Sequence, residues 1–258
     1  MPTMLRPSRA LFRFSGADAQ KLLFDVVTGR LLAEPGAAIW WALLSPQGKI
    51  QAEGVSTYAD GAFWLDVDAG VADGFLKRMK MYRLRAAVEI ADLRQSHAVG
   101  WDRGAPHTRV IGTEAESAQW DAADSSYDAA RIARGVAEQG SDFAVDTLFP
   151  HDIGMDLLGG VDFKKGCYIG QEVVSRMEHR GTARRRPVIV SGIEGTGGAV
   201  LAGGREAGTT GRVVGGKAVA IVRLDRFDGG EVTVDGKPVT VALPEWATYR
   251  LGESAGAE

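Results

Sequence analysis

The stretch "KKGCYIGQEVVSRMEHRG", Lys164 to Gly181, decides how this 258-residue chain is read, and it holds the chain's single cysteine. Gly166 and Gly170 flank Cys167, and residues without a Cβ let a backbone turn tightly or approach another group closely. From Gln171 the apolar spacing becomes helical, so the stretch begins as turn and ends as helix. Cys167 then lies just before a helix N-terminus, where unpaired N–H groups and the helix dipole favour an anion, and Lys164 and Lys165 add to that field. A reactive thiol is one reading. A small buried hydrophobe is the other, and composition alone leaves both open.

Working outward, "RIARGVAE" upstream ends a helical pattern at Gly135, and Pro150 with the pair Gly159-Gly160 punctuates a loop-rich approach to the cysteine. Towards the N-terminus, "ALFRF" partly alternates as a strand, and "SGADAQKLLFDVVTGRLL" follows as a helix with Ser15 as its N-cap. "AAIWWALLSPQGKIQAEGVSTYADGAFWLDV" reads as three antiparallel strands joined at Ser45-Pro46-Gln47-Gly48 and Ala59-Asp60-Gly61. Val71, Phe75, Met79 and Tyr82 then share a helical face, and "RAAVEIADL" returns to strand. Beyond "RRRP" the many glycines separate short β-branched stretches, among them "VIVSGI", "GAVL", "TGRVV", "AVAIVRL", "EVTV" and "PVTVAL", the pattern of a small β-barrel or sandwich from about Arg186 to Leu243. The tail from Arg250 is expected to fray.

Composition narrows the function. A net charge of −3 and an isoelectric point near 5.9 argue against bulk attraction to nucleic acid or to a membrane surface. One cysteine excludes an intramolecular disulfide framework and suits a reducing compartment, so a cytoplasmic location is expected. The opening "MPTMLRPSRALFRFSG" carries no apolar run of signal length, and "AAIWWALL" is too short to span a bilayer. There is no phosphate-loop pattern, and "GTGGAVLAGG" has the glycines without the lysine. His97, His107, His151 and His179 form no H-x-x-x-H pair, and one cysteine completes no cage, so no metal held by this chain alone is expected.

Two cationic groups remain. Lys77, Arg78, Lys80, Arg83 and Arg85 interleave with apolar side chains, and Arg176, His179, Arg180 and Arg184 to Arg186 follow the cysteine. Solvated basic faces are the plainer reading. The functional reading is a site for a ligand that is part flat ring and part carboxylate. Trp40, Trp41 and Trp64 are expected in the core, where one could line a pocket, and Asp66, Asp68 and Asp73 are expected as helix caps.

"KGCYIGQE", Lys165 to Glu172, resembles the K-G-C-[FY]-x-G-Q-E signature of the YgfZ-type folate-binding proteins, which include mitochondrial iron–sulfur assembly factors. The resemblance extends over nearly the whole chain, through "FSGADAQKLLFDVVTGRL", "LLSPQGKIQAEG", "LKRMKMYRLRAAVEIAD", "LFPHDIGMDLLGGVDFKKGCYIGQE" and "TTGRVVGGKAVAIVRL". That family is related to the glycine-cleavage T-protein. The resemblance implies an α+β fold, T-protein-like, with three lobes around a central folate-sized opening and a small C-terminal β-barrel. It divides the chain into a folate-binding portion of two interleaved lobes, residues 1–185, and a barrel with its tail, residues 186–258. It implies a tetrahydrofolate-binding factor that assists synthesis or repair of iron–sulfur clusters in other proteins. Its partners would be folate and transient client or assembly proteins, with no membrane, no nucleic acid expected and a monomeric state.

On this reading Cys167 is the reactive thiol and Lys165 the cation that favours its thiolate. Gly166 and Gly170 form the turn, Gln171 and Glu172 orient the loop, and Tyr82 and Arg184 receive the folate ring and carboxylate. Where relatives often show R-x-E-x-G, this chain has Ala133 in the middle, so no folate-contacting acid carries over there, and Glu138 is a weak substitute. Two alternatives stand beside this reading. One is a folate-dependent aminomethyltransferase, to which Asp73 would belong. The other is a folate-binding or docking module without chemistry.

Overall fold

The computed structural model describes residues 3–36, 38–181 and 183–252. The chain gathers into two compact units, Met1–Asp124 with Gly159–Gln171, and Ser125–Leu158 with Glu172–Glu258. The cysteine loop thus groups with the first unit, and the segment before it with the barrel.

In the first unit the strands are β1 (Met4–Leu5), β2 (Arg9–Ser15), β3 (Ile39–Leu44), β4 (Ile50–Ala59), β5 (Ala62–Asp68), β6 (Glu89–Asp92), β7 (His97–Trp101) and β8 (Val110–Thr113). Helices α1 (Ala19–Val26), α2 (Ala72–Arg83) and the short α3 (Glu114–Ser117) accompany them. Two antiparallel sheets result, one ordered β3-β4-β5-β2-β6 and one ordered β1-β7-β8. The three strands expected from residues 38 to 67 are β3, β4 and β5, joined at the expected turns. Side chains alternate across a strand, so Phe12, Phe14, Trp41, Leu43, Leu65 and Val67 share one sheet face, and α1 and α2 cover it with Leu22, Leu23, Phe75 and Met79. Phe75 is the hub, with ring centroids 5.3 Å from Phe12 and 5.5 Å from Trp41. Burying a ring of that size contributes about 2–3 kcal/mol.

Two cap expectations need correction. Ser15 closes β2 and does not cap α1; Asp18 occupies the cap position, and its carboxylate accepts from Ala87 N at 2.7 Å. Asp66 is buried, and Arg9 Nε and Arg109 Nε donate to it at 2.8 and 2.7 Å, while Val55 N donates to its other oxygen at 2.6 Å. Burial would raise its pKa, but the two guanidinium groups outweigh burial and hold the carboxyl well below the usual range. Asp68 does cap, accepting from Gly70 N at 2.9 Å. Asp73 lies in the first turn of α2, exposed, and pairs with Arg94.

The second unit carries α4 (Ser126–Ala133), α5 (Gln171–His179, whose first residue belongs to the first unit) and β9 (Arg185–Ser191), β10 (Ala199–Ala202), β11 (Arg205–Thr210), β12 (Lys217–Arg223), β13 (Val232–Val234), β14 (Lys237–Pro238) and β15 (Thr240–Ala242). The seven strands form one antiparallel sheet ordered β14-β13-β10-β11-β12-β9-β15. Its two edge strands are separated by Val239 alone, so the sheet curls back on itself as a nearly closed barrel around Val188, Val190, Val200, Ala218, Ala220, Val222 and Val234. One strand differs from expectation. "TGRVV" lies mostly beyond β11, because the turn at Gly203-Gly204, both at positive φ, returns the chain early and pairs Ala202 with Arg205. Of the tail expected to fray, residues 253–258 lie outside the described residues. Among the described residues no helix is long and apolar enough to cross a membrane.

Candidate functional site

The loop that carries Cys167 is built from its anchors. Thr28, just past α1, donates its hydroxyl to Gly160 O at 2.7 Å and accepts from Ala42 N at 2.9 Å, which ties β3, the end of α1 and the start of the loop together. Asp162 N donates to Thr28 O at 3.0 Å. The Asp162 carboxylate then accepts from Lys164 N at 2.7 Å and Lys165 N at 3.1 Å, an Asx-type turn that reverses the chain before the cysteine.

Lys165 is turned inward. Its ammonium donates to Phe24 O at 2.8 Å, to Gly29 O at 3.1 Å and to Val27 O. Phe24 and Val27 stand at the C-terminal end of α1, where carbonyls lack helical partners and the dipole favours a cation. The rings of Phe24 and Tyr168 lie 4.8 and 5.0 Å from the same nitrogen. Burial pushes the Lys165 ammonium down to about 8, against the opposing pull of Asp162 and Asp25. An ammonium has three N–H donors, and all three are taken by carbonyls. Lys165 therefore anchors the loop to the end of α1 through these carbonyls.

Cys167 itself is exposed and free. The plain alternative of a small buried hydrophobe does not describe it. Tyr168 turns back into the protein, where its hydroxyl is buried without a hydrogen-bond partner among the described residues. Gly170 has φ +80°, and a Cβ there would lie 2.7 Å from Ser45 O in the β3–β4 turn, so this position needs glycine twice over. Gly166 does not: its φ is not positive, and a Cβ would meet only Phe24 at an ordinary 3.4 Å. Gln171 N donates to Tyr168 O at 3.2 Å as α5 begins. Glu172 is exposed and pairs with Arg176 one turn along.

The structure thus brings Lys165, Gly166, Cys167, Gly170, Gln171 and Glu172 into one anchored loop. Tyr82 is on α2, half-buried against the core of the first unit. Arg184 is exposed before β9 in the second unit, so no single unit holds the two side chains together. Tyr82 has part of its ring committed to the core of the first unit. In the second unit a cleft of about 480 Å³ has Arg185, Arg223 and Arg226 beside Phe143, Leu148 and Ile221, with Asp142 and Glu206 also in its lining. Sequence inspection singled out only Arg185 among these. In the first unit a smaller cleft, about 270 Å³, is walled by Trp64, His97 and Arg109, so the pocket tryptophan is Trp64 while Trp40 and Trp41 are core. Among the described residues, His151, Asp156 and Glu178 set three metal-capable atoms within 4.8 Å of one another.

Comparison with known proteins places these features. Residues 183–249 match the family described as "CAF17, C-terminal beta-barrel domain". The chain is 31% identical over 212 residues to the "Iron-sulfur cluster assembly factor IBA57 homolog, mitochondrial" of Pyricularia oryzae, covering 69% of this chain and 54% of that protein. It is 30% identical over 224 residues to the protein of the same name from Mycosarcoma maydis, covering 72% and 56%. The chain thus spans about half the length of the curated relatives it matches. Both are named mitochondrial, which overturns the cytoplasmic location expected above; a lone cysteine suits any reducing compartment and does not choose among them. The crystal structure of glycine cleavage system aminomethyltransferase T from Bartonella henselae superposes with a TM-score of 0.75 over 96% of this chain and 87% of that one, at 14% identity. The chain has the fold of that aminomethyltransferase, α+β with a C-terminal β-barrel.

Proposed function

We propose that this protein is a tetrahydrofolate-binding factor that assists assembly or repair of iron–sulfur clusters on other proteins, with Cys167 as its reactive group. The observation that carries the proposal is the presentation of that thiol. The only cysteine of the chain is exposed at the tip of a loop whose neighbours on both sides are fixed, by the Lys165 ammonium on one side and the Gly170 contact on the other. A loop built only for packing would have no reason to hold a thiol outward on so firm a base. The names of the fungal relatives support the cluster-assembly role. Client and assembly proteins are transient partners on this reading, since one thiolate cannot hold a cluster alone.

Folate is the finer part of the proposal. It rests on the signature Lys165 to Glu172 and on arginines that suit a carboxylate tail, Arg184 at the entry to β9 and Arg185 and Arg226 in the nearby cleft. Calorimetric titration of the purified protein with tetrahydrofolate, repeated on Cys167→Ala, tests it. Equal micromolar binding by both proteins is expected. No heat of binding from either would remove the cofactor from the proposal.

A further inference from the structure

His151, Asp156 and Glu178 come from two segments of the second unit. His151 sits in the single turn Pro150–Ile153, Asp156 in the turn that follows, and Glu178 near the end of α5. Their placement is built. Gly154, at φ +77°, reverses the chain between the first two, and a Cβ there would strike the Trp246 ring at 2.5 Å. Arg186 Nη1 donates at 2.8 Å both to His151 O and to Asp156 Oδ1, one guanidinium fixing the backbone of the first residue and the carboxylate of the second. The imidazole side chain is 1% exposed and the Asp156 side chain 4%, while that of Glu178 is 43% exposed. His151 Nε2 and Glu178 Oε2 are already 3.2 Å apart.

We propose that this corner is a binding site for a divalent first-row transition ion, with His151 Nε2, one Asp156 oxygen and one Glu178 oxygen as protein ligands. The competing account is two separate contacts, His151 with Glu178 and Arg186 with Asp156. The donor chemistry favours the metal. One imidazole and two carboxylates suit Zn²⁺, Co²⁺, Fe²⁺ or Mn²⁺; the soft thiolates wanted by Cu⁺ and the all-oxygen shell wanted by Ca²⁺ are both missing from the group. Two carboxylates against one guanidinium leave a single negative charge to attract a dication. Ligand bonds of about 2.0–2.2 Å place bound donor atoms roughly 3.3 Å apart. The three donor atoms lie within 4.8 Å of one another, so a bound ion requires the group to draw in, and Glu178 is the ligand whose side chain is exposed. Arg186 supplies the outer-shell bond that holds a metal-binding carboxylate in place. Three protein ligands leave at least one position open to water, the arrangement of an open site rather than of a closed structural one. A search for H-x-x-x-H spacing does not find such ligands, because the fold and not one helix brings them together.

The test uses the full chain stripped with a chelator and titrated with CoCl₂, followed by the visible d–d bands and by competition with ZnCl₂. Glu178→Gln is the primary variant, since its exposed side chain leaves the core intact, and His151→Gln is the second; melting curves of both establish that they are folded. One equivalent of Co²⁺ bound by the wild type, displaced by Zn²⁺ and weakened at least about tenfold in folded Glu178→Gln, supports the site. An accompanying loss of nitrogen-ligand character in the Co²⁺ spectrum of His151→Gln does likewise. Absence of stoichiometric binding in the wild type, or binding unchanged in a folded Glu178→Gln, overturns it.

Discussion

Two buried cations, one from each compact unit, are held in opposite ways. Lys165, in the first, rests on three neutral carbonyls and two aromatic rings. Arg131, in the second, is wholly enclosed; its Nε donates to Asp128 at 2.7 Å, its Nη1 donates to Asp142 and, at 3.3 Å, to Val136 O, and Arg212 Nε reaches the other Asp128 oxygen at 3.2 Å. Burial works against both charges. It wins at Lys165, whose pKa falls to about 8, and loses at Arg131, where the Asp142, Glu138 and Asp128 carboxylates hold the guanidinium above its usual range. Dipoles make a latch whose charge a rise in pH removes, and carboxylates make a permanent tie. The barrel-bearing unit has the tie, and the cysteine loop has the latch.

Removing the tie should have the largest effect. Arg131→Met leaves Asp142 buried against no cation, and breaking one side of a buried pair costs about 3–5 kcal/mol, which denaturant unfolding of the second unit would register. Lys165→Met should cost less, about 2 kcal/mol, because it strands carbonyls and not charges. The latch also predicts a pH signature that the tie does not. Below about pH 8 the folded and unfolded chains both carry the Lys165 proton; between there and about 10.4, where an unfolded lysine titrates, the folded chain binds fewer protons. The stability of the wild type relative to Lys165→Met should therefore rise with pH across that window, and a flat difference would mean that the carbonyls fully offset burial.

What was legible in the sequence follows the same division. Turn residues and apolar periods are local, so the turn-to-helix character of 164–181, the β3–β4–β5 meander and the end of α4 near Gly135 could be read directly. The partners of Lys165 could not, because they are backbone carbonyls 136 to 141 positions away and any residue type supplies a carbonyl. Asp66 misled for a related reason. An aspartate shortly before a helix reads as a cap, and nothing local reports that Arg9 and Arg109 converge on it from distant segments. The cysteine loop was thus visible as a motif, while the mechanism that rigidifies it was not.

The smallest structural effects bear on function most. Gly170→Ala forces a Cβ towards Ser45 O in a left-handed backbone conformation and should cost about 1–2 kcal/mol, less than loss of the latch because the β3–β4 turn can yield. Cys167→Ala should change stability by no more than about 0.5 kcal/mol, since an exposed side chain gives up little packing. In cells that depend on this protein for cluster-enzyme activity, however, that variant should fail to restore the activity, while Gly170→Ala should restore part of it in proportion to the folded fraction. The contrast separates the thiol from its scaffold. If Cys167→Ala complements fully and Gly170→Ala does not, the loop matters as a docking surface and the sulfur has no chemical part. If the reverse holds, the anchors on either side serve to keep one reactive atom in reach of a client.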